Sequence, residues 1–155
     1  LLNLGGPDSP EAVKSFLYNL FADPDIIKLP LSELFQKPLA WTISTLRAKE
    51  AAENYHKIGG RSPILPLTQA QADALKASLE AEGYSLPIYI AMRYWHPFTD
   101  AAVDQIMADD IDHLIVLPLY PHFSYTTTGS SVNELERVLL TKGSRLNTEV
   151  VPPYY

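Results

Sequence analysis

The chain has 155 residues, of which 46% are hydrophobic and 19% are charged, and its net charge is −6. This length and composition suit one compact α/β domain and exclude a disordered chain. The acidic charge argues against a nucleic-acid binder, and the absence of cysteine excludes disulfides and thiolate metal ligands within the chain. No apolar run has the length of a membrane-spanning helix and no signal-peptide pattern is present, so we expect a cytoplasmic protein.

Hydrophobic periodicity predicts strands that alternate with helices. The predicted elements are a strand at 1–4, a helix between 9 and 23, helices at 42–58 and 68–83, a strand at 87–94, a helix at 99–109, a strand at 113–119, a helix at 131–143 and a strand at 147–151. This order predicts an α/β fold, a Rossmann-like parallel sheet of about four strands with helices on both faces. The continuous apolar run 114–117 predicts a third strand that is buried on both faces.

Local signals set the predicted helix boundaries. Ser9 is a candidate N-cap with proline following it, and Thr68 and Ser131 each open a candidate capping box. In the helix at 99–109, the apolar spacing predicts that Met107 points inward together with Val103 and Ile106.

Residues 25–41 allow two interpretations. The segment contains Pro30 and Pro38, yet it is rich in Ile, Leu, Phe and Trp. It is either a loop that packs into the core or an exposed apolar lip over a pocket or against a membrane surface.

Three loops follow predicted strands, at 3–9, 93–99 and 120–131. Ligands of parallel α/β sheets bind beyond the carboxyl ends of the strands, so these loops are the candidate site. The first loop carries a glycine pair that allows close approach of a ligand, without the spacing of a dinucleotide fingerprint. The third joins a run of hydroxyl side chains to a helix N-terminus, which favours a phosphate or carboxylate.

Several single residues could carry chemistry in or near these loops. His122 is a candidate metal contact or proton acceptor, and the alternative is a hydrogen-bonded structural histidine. Arg93 begins an Arg-aromatic-His segment at the end of a strand. Arg47 and Tyr55 are spaced to lie close to one face of the same helix, where a solvated surface is the alternative.

Five segments together resemble the ferrochelatases, the class of chelatase that needs no ATP. They follow the order and spacing of that family over essentially the whole chain, at 2–7, 55–63, 93–97, 120–124 and 127–131. The family fold has two similar Rossmann-like halves with a porphyrin cleft between them. The resemblance implies that residues 1–155 are the N-terminal half, with the second lobe absent from this chain, and both chain ends read as cut.

The resemblance also implies an activity, the insertion of ferrous iron into protoporphyrin IX or coproporphyrin III in haem biosynthesis. Iron and porphyrin would be substrates, with no required cofactor. Because the chain has no cysteine, it offers no iron–sulfur cluster ligand, although some animal members carry one at the position of Tyr125. Residues 25–41 match the family's hydrophobic lip, which implies peripheral membrane contact.

Individual site residues follow from the same resemblance. Leu4 matches a residue that faces the metal centre, and Arg93 and His122 match cleft-lining positions. The implied porphyrin-binding residues are Leu4, Arg47, Tyr55, Ser62, Arg93, Tyr120, Thr127 and Ser130. His122 is the candidate catalytic residue of this half, whereas the main catalytic His and Glu are expected in the second half, so that residues 1–155 alone should be inactive.

Three other interpretations stay open. A chelatase of the same fold could act on sirohydrochlorin or a cobalt substrate. A binding module could hold a porphyrin or haem without catalysis. A nucleotide- or phosphosugar-binding α/β protein could use residues 126–131 to hold a phosphate.

Overall fold

The computed structural model describes residues 1–27, 32–144 and 146–154, and of 32–34 the backbone only. Its elements are β1 (Leu2–Asn3), α1 (Val13–Phe21), α2 (Ser32–Lys57), α3 (Ile64–Ala81), β2 (Ala91–Met92), α4 (Thr99–Ala108), β3 (His113–Val116), α5 (Ser130–Thr141) and β4 (Asn147–Val150). A π-helical turn, Tyr125–Gly129, runs directly into α5. The alternation of strands and helices confirms the predicted order.

All strand pairs are parallel. β1 pairs with β2, and β3 pairs with β4. A bridge between Leu2 and Pro118 connects the two ladders, because the Leu2 amide donates to Leu117 O at 3.0 Å and the Leu119 amide donates to Leu2 O at 2.8 Å. The spatial order is therefore β2-β1-β3-β4, which confirms the predicted parallel α/β sheet.

Helices cover the sheet on both faces near β1. Leu2 is buried in a core with Val103 of α4 and Val138 of α5. The next residue, Asn3, faces the other way, and its Nδ2 donates to Thr68 Oγ1 of α3 at 2.9 Å. Neighbouring residues of a strand point to opposite faces, so α4 and α5 lie on one side and α3 on the other.

Helix α2 corrects the prediction for residues 32–41, which are helical and not a loop. Pro38 lies inside the helix, where it removes one backbone hydrogen bond. Packing of Gln36 and Ala40, which are both buried, offsets this cost. The aromatic side chains of Phe35 and Trp41, in contrast, are 53% and 58% exposed. Residues 28–31 of the predicted lip lie outside the described part of the chain. Among the described helices, none is both long enough and apolar enough to span a membrane.

The predicted capping boxes at Thr68 and Ser131 are wrong. Thr68 lies inside α3, which begins at Ile64 directly after Pro63, because proline is well suited to a helix start. Ser131 lies inside α5, and its hydroxyl bonds to Tyr120. Ser9 accepts a hydrogen bond from the Ala12 amide at 3.3 Å, but the helix itself begins at Val13.

Two burial predictions are also wrong. Met107 is 40% exposed, although Val103 and Ile106 point inward as expected. Ile115 in β3 is 56% exposed, so this strand is not buried on both faces. The reason is its place in the sheet, since its neighbour β4 is an edge strand whose four residues are all exposed.

Candidate functional site

The loops that follow β1 and β2 lie side by side at one edge of the sheet. The Arg93 amide donates to Asn3 O at 2.9 Å, and the Tyr94 amide donates to Leu4 O at 3.0 Å. The parallel pairing thus continues beyond the strands and places Leu4 beside the Arg93 segment. This arrangement confirms that the two loops form one surface at the carboxyl ends of the strands.

The glycine turn after β1 packs tightly against both neighbouring loops. Gly5 has φ +83°, and a Cβ there would lie 3.0 Å from the Trp95 backbone nitrogen. A Cβ at Gly6 would collide with the Ser62 side chain. The Ser62 amide donates to Pro7 O at 2.8 Å. The glycine pair therefore serves close packing of the loops and places the half-buried Ser62 at the tip of β1.

A buried polar cluster lies beneath this surface and joins three element ends. It consists of Asp23 after α1, Arg93 and Tyr94 after β2, and Ser130 at the start of α5. Arg93 Nη2 lies 2.9 Å from Asp23 Oδ2, and Arg93 Nε donates to Ser130 Oγ at 2.8 Å. The hydroxyls of Tyr94 and Ser130 both donate to Asp23 Oδ2. One carboxylate oxygen thus accepts two hydrogen bonds and forms an ion pair with Arg93.

The cluster is fully satisfied at its centre. The Asp23 side chain is 1% exposed and that of Arg93 is 17% exposed. Burial, and then the hydrogen bond to Asp23, raise the pKa of the Tyr94 phenol, so it remains a donor. Ser130 is fully buried, so it can reach a ligand only through Arg93. Its assigned porphyrin-binding role stays a prediction.

Asp23 is the site residue that sequence reasoning missed. An acidic residue followed by proline after an amphipathic helix indicates only a helix end. The only available signal was indirect, because Arg93 at a buried strand tip needs an anionic partner.

An apolar cluster brings two further predicted residues together. Its buried members are Val13, Phe16, Leu17 and Tyr94. Leu4 and Tyr55 both pack against it, and burial raises the pKa of Tyr55. Arg47 is exposed on α2, with its Cζ atom 5.9 Å from the ring centre of Phe21, which packs on the same cluster. Leu4, Tyr55, Arg47 and Arg93 are thus arranged around one patch.

The loop after β3 is organised by its own hydroxyl groups. Ser124 Oγ accepts from the Thr126 amide at 3.3 Å. Tyr120 OH lies 3.2 Å from Ser131 Oγ, which places Tyr120 next to the buried cluster. The helical turn already begins at Tyr125, earlier than the sequence predicts, and the amides of Thr127 and Gly129 donate to Ser124 O. Thr127 is half-buried in this turn.

His122 is exposed on the same loop. Beside it, the rings of Phe123 and Tyr125 pack edge to face with centroids 5.3 Å apart. In the described ranges no group of three or more His, Cys, Asp or Glu side chains is placed to hold a metal ion. The catalytic role of His122 stays a prediction.

Tyr120 predicts a pH dependence of stability. Burial raises its pKa from 10.0 to about 12. The folded state therefore holds this proton more tightly, so the contribution to stability is complete below pH 10 and falls as the pH rises from 10 towards 12. Tyr120→Phe has no such contribution to lose. Between about pH 9 and pH 11, we therefore expect its free energy of unfolding, measured with urea, to fall by about 1 kcal/mol less than that of the wild type. Tyr84→Phe, at a residue that is 61% exposed, is the control, and equal alkaline losses in wild type and Tyr120→Phe would contradict the assignment.

A cavity also runs along the sheet. It measures about 490 Å³ and is lined mainly by aliphatic side chains, including Leu75, Leu79, Ile88 and Ile115. Its lining follows the strands from Leu1 and His113 to Val116 and Val151. Ligand chemistry in parallel α/β sheets occurs at the carboxyl ends, and we therefore place the candidate site at the loop surface and not in this cavity.

Comparisons with known proteins point to one family. A family model described as ferrochelatase matches residues 1–155. A ferrochelatase from Synechocystis sp. is 54% identical over 157 residues, which cover all of this chain and 40% of the relative. One from Thermosynechococcus vestitus is 60% identical over 136 residues, 88% of this chain and 35% of the relative. One from Gloeobacter violaceus is 55% identical over 138 residues, 89% of this chain and 42% of the relative. The chain thus spans about 40% of the length of the first of these relatives.

Proposed function

The chain belongs to the ferrochelatase family, and on this premise we propose that it forms one wall of a porphyrin cleft in an enzyme that inserts ferrous iron into a porphyrin. The match of the family model over residues 1–155 is the observation that carries the proposal. The proposal includes a second lobe, as in the longer relatives, that closes the cleft and supplies the main catalytic His and Glu.

The chemistry of the loop surface supports a tetrapyrrole ligand. A porphyrin is a flat apolar disc with carboxylates at its rim, so it needs an apolar wall flanked by cations and hydroxyls. Leu4 and Tyr55 provide apolar surface on the cluster around Tyr94. Arg47, Arg93 and Ser62 supply the polar groups around that surface. Tyr120 and Thr127 extend the wall along the third loop.

Iron insertion requires that both pyrrole N–H protons leave the ring while ferrous iron forms bonds to the ring nitrogens. A rigid wall that fits a bent ring better than the flat product lowers the barrier of this step. The tight packing at Gly5 and the buried Asp23–Arg93 pair make this part of the wall rigid. A base must accept the protons, and His122 is the candidate on this wall. Iron and porphyrin are substrates, and the proposal needs no resident cofactor.

The proposed function is tested by metal insertion in a protein of the relatives' full length that contains this chain. We expect it to insert ferrous iron into protoporphyrin IX or coproporphyrin III, and residues 1–155 alone to be inactive. Formation of the metalloporphyrin is followed by its absorbance. Activity only with sirohydrochlorin, porphyrin binding without insertion, or binding of ATP instead of porphyrin would each contradict the proposal and favour one of the other interpretations.

Arg47→Ala is expected to raise the porphyrin KM about tenfold, the effect of one charge-assisted hydrogen bond to a carboxylate. Because Arg47 is exposed on α2, the substitution should leave the fold intact. Lys49→Ala, which removes another exposed cation of α2, is the matched control and should leave KM unchanged. A porphyrin KM equal to that of the wild type would remove Arg47 from the site.

His122→Ala is expected to lower kcat about tenfold, the kinetic equivalent of one hydrogen bond to the reacting group. Turnover is measured at saturating iron and porphyrin. His56→Ala, at another exposed histidine, serves as the control. Unaltered turnover would make His122 a structural residue.

The exposed aromatic residues of α2 support the proposal that residues 25–41 form a hydrophobic lip. Phe35 and Trp41 are 53% and 58% exposed, and Lys14 Nζ lies 5.2 Å from the ring centre of Trp41. Aromatic rings next to a cation suit both the face of a porphyrin and the surface of an anionic membrane. We therefore propose that the enzyme is cytoplasmic and contacts the membrane surface peripherally through residues 25–41.

A further inference from the structure

The carboxylate of Asp23 connects three separate parts of the candidate site. Its Oδ2 atom accepts hydrogen bonds from Tyr94 after β2 and from Ser130 at the start of α5, and it forms an ion pair with Arg93. Its Oδ1 atom accepts from the Asp25 amide at 2.8 Å. Both oxygens are thus held by the protein, and the side chain is 1% exposed. Asp23 itself is therefore closed to a ligand, and any role in binding must act through a neighbour.

Arg93 is the neighbour that still reaches the surface. Its Nε donates to Ser130 and its Nη2 is paired with the Asp23 carboxylate at 2.9 Å, so one edge of the guanidinium is occupied by the protein. Arginine has five N–H donors in a rigid plane, and among the described residues none is bonded to the Nη1 side of the group. The side chain remains 17% exposed. The second edge of the guanidinium is therefore presented to the loop surface.

Two further contacts restrict the plane of the guanidinium. Arg93 Cζ lies 4.9 Å from the ring centre of Tyr94, and the Tyr94 hydroxyl is itself held by Asp23 at 2.6 Å. An arginine whose plane is fixed loses little entropy when it binds a carboxylate with two parallel hydrogen bonds. Without Asp23, both the anion that holds Nη2 and the acceptor that holds the Tyr94 hydroxyl would be lost.

We propose that Asp23 is a positioning residue that locks Arg93 with its free edge towards a carboxylate of the porphyrin. This inference rests on the proposed function. Asp23 fixes the direction of the Arg93 N–H donors. Its negative charge also balances the positive charge of the largely buried guanidinium. Asp23 thereby adds to the rim a second cation, held in place by the protein, in addition to the exposed side chain of Arg47.

The test measures porphyrin binding by a full-length protein that contains this chain. Dissociation constants are determined by fluorescence for protoporphyrin IX and for its dimethyl ester, which has the same ring without free carboxylates. We expect Asp23→Asn to weaken binding of the diacid about tenfold and to leave binding of the diester unchanged. Asp25→Asn is the matched control, since Asp25 also links to α5, through Asn133 at 2.9 Å, without contacting Arg93. It should change neither constant.

Each result decides between the possibilities. Equal weakening for diacid and diester would show a merely structural role and would overturn the proposal, as would unchanged binding of both. If Asp23→Asn does not fold, Ser130→Ala takes its place, because it removes the acceptor of Arg93 Nε and one donor to Asp23 while the Asp23 charge remains, and the same selective loss is expected. In a protein that already carries Arg93→Gln, Asp23→Asn should not change the ratio of the dissociation constants for the diacid and the diester any further. A wild-type protein that binds neither porphyrin would instead refute the proposed function.

Discussion

Asp23→Ala is expected to lower the free energy of unfolding by about 3–5 kcal/mol, because it leaves the Arg93 guanidinium without its buried counter-ion. The substitution also removes the acceptor of the Tyr94 and Ser130 hydroxyls, both of which are fully buried. Donors that cannot reach water retain their full desolvation cost, which explains why this loss exceeds that of a surface ion pair.

The measurement is urea unfolding of the variant and the wild type at neutral pH. Asp25→Ala is the control, since it removes an equal charge two positions along the chain but only an exposed hydrogen bond to Asn133. Its expected cost is about 1 kcal/mol or less. If the two variants lose the same stability, the buried cluster does not hold the three element ends together.

Gly5→Val is expected to cost at least about 2 kcal/mol of stability, through left-handed strain and overpacking at one position. Gly5 has φ +83°, and a Cβ there would lie 3.0 Å from the Trp95 nitrogen and 3.1 Å from Met92 Cβ. The backbone neighbour cannot move without disturbing the pairing of β1 with β2. We therefore also expect weaker porphyrin binding, because Leu4 and Arg93 lie on the two strands that would separate.

Gly83→Val separates the effect of backbone strain from the effect of overpacking. Gly83 has φ +87°, but a Cβ there has no atom within 4 Å, so this variant suffers the strain without the overpacking. Thermal unfolding should show that Gly5→Val is the less stable of the two by about 1–3 kcal/mol. Equal losses would mean that the turn has room for a side chain and that tight packing at this strand tip is not required.

Local pattern predicted the order of the elements and the position of the loops. The apolar spacing of α1, α4 and α5 and the β-rich runs around β3 and β4 depend on nearby residues, so they can be read from a short window of sequence. Boundaries were less reliable where two signals competed. At Ile64 the proline start prevailed over the capping pattern at Thr68, and at Ser32 the packing of α2 on α1 prevailed over Pro38.

The sequence by itself determined the parallel α/β class, the three loops at the strand ends and the residue types that a porphyrin wall needs. Only the tertiary structure decided how those residues are held. Ser130 reaches Asp23 across 107 positions and Tyr94 reaches it across 71, so no local pattern could pair them. Burial of Asp23 arises where the ends of α1 and β2 meet the start of α5, because a charged side chain can be buried only where its partners converge.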